Sequence, residues 1–276
     1  MGRIEFAAED ASRCDIEYAI EWADACIAAG GTRFCFSDTC GVFSPEGVDH
    51  YFPRLVEALG VRKGRVQLTA HFHNDFGLGA INTVRAVMHG ATHPSLTANG
   101  IGERAGNTSL HQFVMVMKEL YGVTLPRFKY ERLRDLRSCV ERASGIAVQV
   151  QEPIIGEGVF SHESGIHTAA ILVHPAIYQF IREETVGGTQ RFVFGKHSGT
   201  AAVQAVLERH AAQLLDQGVT VDDLLVTRVL DRVKQLREEA IATRQAADAI
   251  RDFYAHYGAL GVGEVAVLEI AREVAT

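Results

Sequence analysis

Four times within residues 1–125, a short β-rich apolar run is followed by a stretch whose apolar residues recur at helical spacing. This alternation restricts the segment to βα units on a parallel sheet, because parallel strands need a crossover and a helix supplies it. "RIEF", Arg3 to Phe6, is the first expected strand. "DIEYAIEWADACIAAG" is its helix, stopped at Gly30-Gly31. "RFCFSD" is the second strand. Ser44 then caps a helix with Pro45 at its first position and Glu46 in its first turn. "VQLTAHF" and "GLGAINTVRAVMHG" form the third pair, "SLTAN" and "NTSLHQFVMVMKELYG" the fourth.

Beyond residue 125 the pattern changes. Residues 126–200 are expected to form a linker and lid region. They hold one helix, "RFKYERLRDLRSCVERASG", then the loop-rich "QEPIIGEGVFSHESGIH" and the short run "RFVFGKHSG". Residues 201–276 read as an α-helical C-terminal region whose interleaved acids and bases form a solvated face. A net charge of −7 gives no electrostatic footprint for nucleic acid. No apolar run reaches the roughly 18 residues needed to span a bilayer, and the N-terminus has no signal or transit character. The five cysteines form no C-x-x-C pair, which points to a reduced, cytoplasmic protein.

The polar residues gather where these strands end. In "AHFHND", His71 and His73 are two apart and point to one face, so their imidazoles can converge on a cation. The alternative is a pair of histidines hydrogen-bonded at a strand end. In parallel α/β folds, ligands collect at the carboxyl ends of strands, which is where this pair falls. Two histidines do not complete a metal site, and hard oxygen ligands are still required. "NGIGERAGN" follows the fourth strand and offers Glu103, Arg104 and Asn107 at the same end; alone it could be a capped turn. Glu9 ends the first strand, placed to act as an acid, a base or its orienter, while Asp10 caps the next helix. Thr39 ends the second, where its hydroxyl holds a substrate carboxylate or merely caps a helix.

Taken together, "EFAAEDASR", "SDTCG", "HFHND", "NGIGERAGN", "PIIGEGVFSHESGIH" and "FVFGKHSG" resemble, in order and spacing, the homocitrate synthase / 2-isopropylmalate synthase family. These are metal-dependent TIM-barrel acyltransferases, and the long "PIIGEGVFSHESGIH" segment is most similar to homocitrate synthases of the nitrogen-fixation type. The resemblance spans Arg3 to Val203. It implies an α/β fold in which the four βα units are the C-terminal half of a (β/α)8 barrel, followed by an α-rich lid and C-terminal region. It implies that His71 and His73 ligate a divalent metal (Mg, Mn or Zn), with Asn107 as an outer ligand. Glu9 would belong to the acid/base machinery, Thr39 would bind the carboxylate of a 2-oxo acid, and Glu103 and Arg104 would shape the pocket. His167 would reach the site of a neighbouring subunit and assist proton removal from acetyl-CoA, the co-substrate of a Claisen-type condensation.

The family's first strand carries an Arg-Asp-Gly-Glu-type motif, whose Asp ligates the metal; no such motif occurs in these 276 residues. The expectation is therefore a split, heteromeric enzyme. A separate polypeptide would supply the N-terminal half-barrel with the Arg-Asp motif, in at least two copies of each chain. A half-barrel would leave two open edges and an uncovered inner face of apolar side chains, both of which invite a partner. The competing reading is a non-catalytic regulatory or scaffold subunit binding a homologue. A third, a lyase or aldolase of the same superfamily, is disfavoured by the "GERAGN" loop, where the comparable lyases use a Cys-bearing glycine loop.

Overall fold

The computed structural model describes residues 2–162, 167, 170–171, 173–192, 199–216 and 218–243. Four strands, β1 (Glu5–Ala8), β2 (Arg33–Asp38), β3 (Gln67–Phe72) and β4 (His93–Pro94), form a parallel sheet in the order β1-β2-β3-β4. Between and after them run α1 (Ile16–Ala28), α2 (Pro45–Ala58), α3 (Gly79–His89) and α4 (Leu110–Glu119). Local chemistry sets the boundaries. Asp15 accepts from the Glu17 and Tyr18 amides at the start of α1, and the chain turns out of that helix through Gly30 at φ 104°. Ser44 accepts from Gly47 N–H, with Pro45 and Glu46 opening α2 as the sequence predicts.

The pleat divides the sheet into two chemically different faces. Phe34, Phe36, Leu68, Ala70 and Phe72 point one way and pack with Val48, Phe52 and Leu55 of α2 in a fully buried cluster. Phe36 and Phe52 meet edge to face at 5.2 Å. The alternate residues point the other way, toward what would be the inside of a barrel. Register stacks them in layers: Glu5, Arg33 and Gln67, then Ala7, Cys35, Thr69 and His93, then Ser37 and His71. This face is polar, which corrects the expectation of an uncovered apolar one. Arg33 donates to Gln67 Oε1 at 3.1 Å and Glu5 Oε2 at 3.3 Å, and the Thr69 hydroxyl donates to the same Glu5 oxygen at 2.9 Å. Apolar residues concentrate on the other face because that is the one the helices cover.

The fourth strand is shorter and earlier than "SLTAN" suggests. Ser95 N–H still donates to Ala70 O on β3. From Thr97 the backbone pairs instead with the approach to α4, donating to Thr108 O and accepting from Leu110 N–H.

The first compact unit continues past residue 125 to Val159 and includes Glu183–Gly188. Helix α5 (Leu133–Ser144) carries the buried Arg137, whose guanidinium reaches Glu141 (3.0 Å), Ile155 O (2.9 Å) and Glu157 (2.8 Å). Glu152 accepts from Nε2 of the buried His111 and from Gln112, both at 2.9 Å, which ties residues 149–158 to the first turn of α4.

The second unit comprises 160–182 and 189–276. In it β5 (Ser161–His162) pairs in parallel with β6 (Arg191–Phe192), and α6 (Thr200–Arg209), α7 (Ala211–Asp216) and α8 (Asp223–Thr243) follow. Val203, Val226 and Leu230 form its small core. Residues 163–166 of "SHESGIH", 193–198 of "FVFGKHSG", and the 244–276 part of the expected helical region lie outside the described residues.

Candidate active site

The ends of β1 to β4 and the loops after them bring most of the sequence-predicted polar residues together. His71 belongs to the inner face of β3, and His73 lies just beyond the strand, where its amide donates to Asp38 O at 3.3 Å. Their Nε2 atoms stand 3.4 Å apart and Asn107 Nδ2 lies 3.3 Å from His71 Nε2, so three side chains meet at one point. Asn107 is held there by a bridge to His73 and by donation from its amide to Gly100 O at 3.1 Å. The glycines beside it are required by space. A Cβ on Gly102 would lie 1.8 Å from Asn107 Oδ1, and one on Gly106, at φ 84°, would lie 2.0 Å from Gly100 O.

This donor set fits a divalent cation. Two nitrogens each about 2.1 Å from one tetrahedral ion are separated by about 3.4 Å, the distance found here. His71 Nδ1 faces Ser95 Oγ at 2.9 Å; donation to that hydroxyl leaves the Nε2 lone pair aimed at the meeting point. Burial, and then the neighbouring His73, push the His71 pKa down, which favours the neutral ring that a ligand must be. A half-turn of the Asn107 amide exchanges Nδ2 for Oδ1 and presents the hard oxygen. His73 Nδ1 is buried with no hydrogen-bond partner. Among the described residues no three His, Cys, Asp or Glu side chains form a group that could hold a metal ion; the donors gathered here are two imidazoles and one amide.

Around the pair the loops are cross-tied. Asp38 is fully buried and accepts from Ser12 Oγ (2.6 Å), Val42 N–H (3.1 Å) and Phe43 N–H (3.0 Å), which shapes the loop after β2. Thr39 Oγ1 accepts from Asp10 N–H at 2.8 Å. Arg104 is not free to face a pocket alone: it grips Asp75 through two bonds and donates to Thr39 O. That grip holds the Asp75 carboxyl below its usual range. Asp10 forms a similar fork with Arg13. Glu103 is exposed on the same loop. Glu9 is also exposed, and with Ala8, Ala11, Tyr18 and Trp22 it lines a cavity of about 240 Å³ beside β1 and α1. His167 belongs to the second unit, exposed, with its ring 4.2 Å from that of Tyr178.

Sequence reasoning missed Ser95, Asp75 and Tyr178. Ser95 was recoverable, because in an inner-facing register it neighbours His71. Asp75 lies inside the quoted "HFHND", but only the folded loops show that it faces Arg104. No local pattern links Tyr178 to His167.

A parallel βα sheet with its polar groups collected at the strand ends belongs to the α/β class that gathers ligands at the carboxyl ends of its strands. Residues 2–140 match the HMGL-like family and residues 154–240 the homocitrate synthase post-HMGL domain-like family. The chain belongs to the HMGL-like family. Homocitrate synthase AksA of Methanothermobacter thermautotrophicus is 38% identical over 236 residues, covering 86% of this chain and 57% of that protein. The (R)-citramalate synthase CimA of Methanocaldococcus jannaschii is 34% identical over 232 residues, covering 84% of this chain and 45% of that protein. Among solved structures, the HMG-CoA lyase of Bacillus subtilis superposes with a TM-score of 0.44 at 22% identity, over 54% of this chain and 51% of that one. The chain spans about half the length of the curated relatives it matches. Among the described residues no helix is long and apolar enough to cross a membrane.

Proposed function

We propose that this chain is the metal-bearing half of a synthase that condenses acetyl-CoA with a 2-oxo acid. The observation that carries the reading is that His71 Nε2 lies 3.4 Å from His73 Nε2 and 3.3 Å from the Asn107 amide at the strand ends. A divalent cation bound there would polarise the ketone and orient it. His71, fixed by Ser95, and His73 would hold that ion, and Asn107 would supply an outer oxygen. Thr39, already accepting from Asp10 N–H, has its own O–H left to donate to the substrate carboxylate. His167, with the Tyr178 phenol beside it, would take the proton from the acetyl methyl group, acting at the site of a neighbouring copy. Glu9 would complete the proton transfers that precede hydrolysis of the thioester.

The barrel requires four further βα units. In this reading a separate polypeptide carries them together with an Arg-Asp motif that adds a carboxylate ligand, and the assembly holds at least two copies of each chain. The positions of β1 and β4 at the two edges of the sheet support a closing partner. The test is free-thiol release from acetyl-CoA, with pyruvate or 2-oxoglutarate, by this chain co-purified with such a half-barrel. Chelator-sensitive release by the pair and none by the lone chain is expected. Robust turnover by the lone chain would remove the split arrangement. No turnover by any reconstituted pair would leave the scaffold reading in its place.

A further inference from the structure

We propose that Arg104 is a positioning residue: with Asp75 and Gly41 it forms a clamp across the barrel mouth that fixes where the Thr39 hydroxyl stands when a 2-oxo acid binds. This deepens the function proposed above and rests on it for the identity of the ligand. Three loops meet in the clamp, those after β2, β3 and β4. Arg104 Nε donates to Asp75 Oδ1 at 2.8 Å and Nη2 to Asp75 Oδ2 at 2.9 Å, the two-pronged geometry that only a guanidinium offers a carboxylate. The same Nη2 donates to the Thr39 carbonyl at 2.6 Å.

Two backbone observations, independent of charge, point the same way. Arg104 sits at φ 56°, in the left-handed region that disfavours any side chain, so the loop accepts strain to bring this guanidinium inward. Gly41, two residues after Thr39, is at φ 64°, and a Cβ there would lie 2.6 Å from Asp75 Oδ2. The carboxylate thus occupies the space a side chain at position 41 would take. Stability alone does not account for the arrangement, since a half-exposed ion pair contributes little. What the clamp does control is one peptide unit. Asp10 N–H fixes the Thr39 oxygen from one side and Arg104 fixes the Thr39 carbonyl from the other. With both ends held, the remaining freedom of the residue is rotation of its O–H, which is the degree of freedom a carboxylate ligand uses.

The test uses Arg104→Lys, Asp75→Asn and Gly41→Ala in the full chain, alone and reconstituted with its half-barrel. Arg104→Lys keeps the charge and loses the fork. Gly41→Ala keeps both charged groups and displaces one. All three should raise the KM for whichever of pyruvate or 2-oxoglutarate the wild type turns over by about tenfold, since an ångström-scale displacement of a positioning group suffices for that. The KM for acetyl-CoA should stay near wild type in all three, and the melting temperature should stay near wild type in Arg104→Lys and Asp75→Asn; Gly41→Ala, at a left-handed φ, should lower the melting temperature as well. In a Thr39→Ala background, Arg104→Lys should add nothing, because both changes act through one group. An unchanged KM in Arg104→Lys and Asp75→Asn would overturn the proposal, as would full additivity with Thr39→Ala or a loss in those two variants that tracks melting temperature. Hydrogen exchange of the amides of residues 40–43 in the full chain provides a second readout that needs no turnover. Asp75→Asn should accelerate it, and unchanged exchange overturns the clamp. A wild-type assembly inactive toward every 2-oxo acid would refute the functional reading, while the exchange measurement would still decide the clamp.

Discussion

Replacing Gly102 with alanine would place a methyl carbon 1.8 Å from Asn107 Oδ1 and 2.8 Å from its carboxamide carbon. Ordinary contact begins near 3.4 Å, so the amide must withdraw by about 1.6 Å. Asn107 now stands 3.3 Å from His71 Nε2, and a shift of that size separates it from the histidine pair. Misplacement of a positioned group by about 1 Å can cost about 10²-fold in rate. Gly102→Ala should therefore lower chelator-sensitive turnover of the reconstituted enzyme by about 10²-fold and behave like Asn107→Ala. Gly102 is exposed on a loop and its φ lies outside the left-handed region, so no backbone strain adds to the clash; displacing the buried Asn107 should cost about 1–3 kcal/mol in thermal unfolding, as overpacking does. Steady-state thiol release, a metal titration followed by elemental analysis, and a melting curve read out the three quantities. Wild-type turnover and metal affinity in Gly102→Ala would refute the reasoning, because they would show that the amide's position does not matter.

Either His71→Ala or His73→Ala should abolish metal-dependent turnover and leave assembly intact, as both rings face the ligand site and not a free sheet edge; stoichiometric metal in the lone chain after dialysis against chelator would contradict a shared site. Glu9→Gln should lower turnover by about 10² to 10⁴ with little change in the 2-oxo acid KM, whereas Thr39→Ala should raise that KM more than it lowers kcat; identical kinetics in the two variants would dissolve the assignment. Glu152, whose carboxyl the His111 hydrogen bond holds below its usual value, should stabilise residues 149–158 at pH above the unfolded carboxyl value of about 4.3 and lose that contribution as the pH falls through the lower folded value. Glu152→Ala should cost about 2 kcal/mol at pH 7 and flatten the acid limb of the unfolding curve, and a limb identical to wild type would argue that the pair is inert.

Much of the architecture was legible because it follows from periodicity and short-range chemistry. The Phe34–Phe36 alternation, the Ser44-Pro45-Glu46 entry to α2 and the exit of α1 at Gly30 are local signals, and the structure repeats them. The fourth strand was misplaced because Thr97 exchanges its ladder partners for Thr108 and Leu110, a choice made by tertiary context. The inner face was misjudged for a similar reason. Arg33 and Gln67 look like solvent-side residues in a strand, and only the register shows that they satisfy one another and Glu5. At the mouth, His71 and His73 were legible from their spacing. The Arg104–Asp75 fork was not, because its members are 29 positions apart and meet only when two loops fold toward each other.

The network of Glu5, Arg33, Gln67 and Thr69 has a consequence for how a barrel of this kind closes. Its one acid and one base answer each other within the same sheet, so the inner wall presents no unmet charge to whatever covers it. Closure then asks the covering strands for shape and backbone pairing at two seams, and asks nothing of their lumen chemistry at this depth. In the split arrangement proposed above, such a half would be portable: it could be matched with four-strand complements of different sequence, provided the seams fit, while the histidine pair stays fixed above the same internally neutral layer.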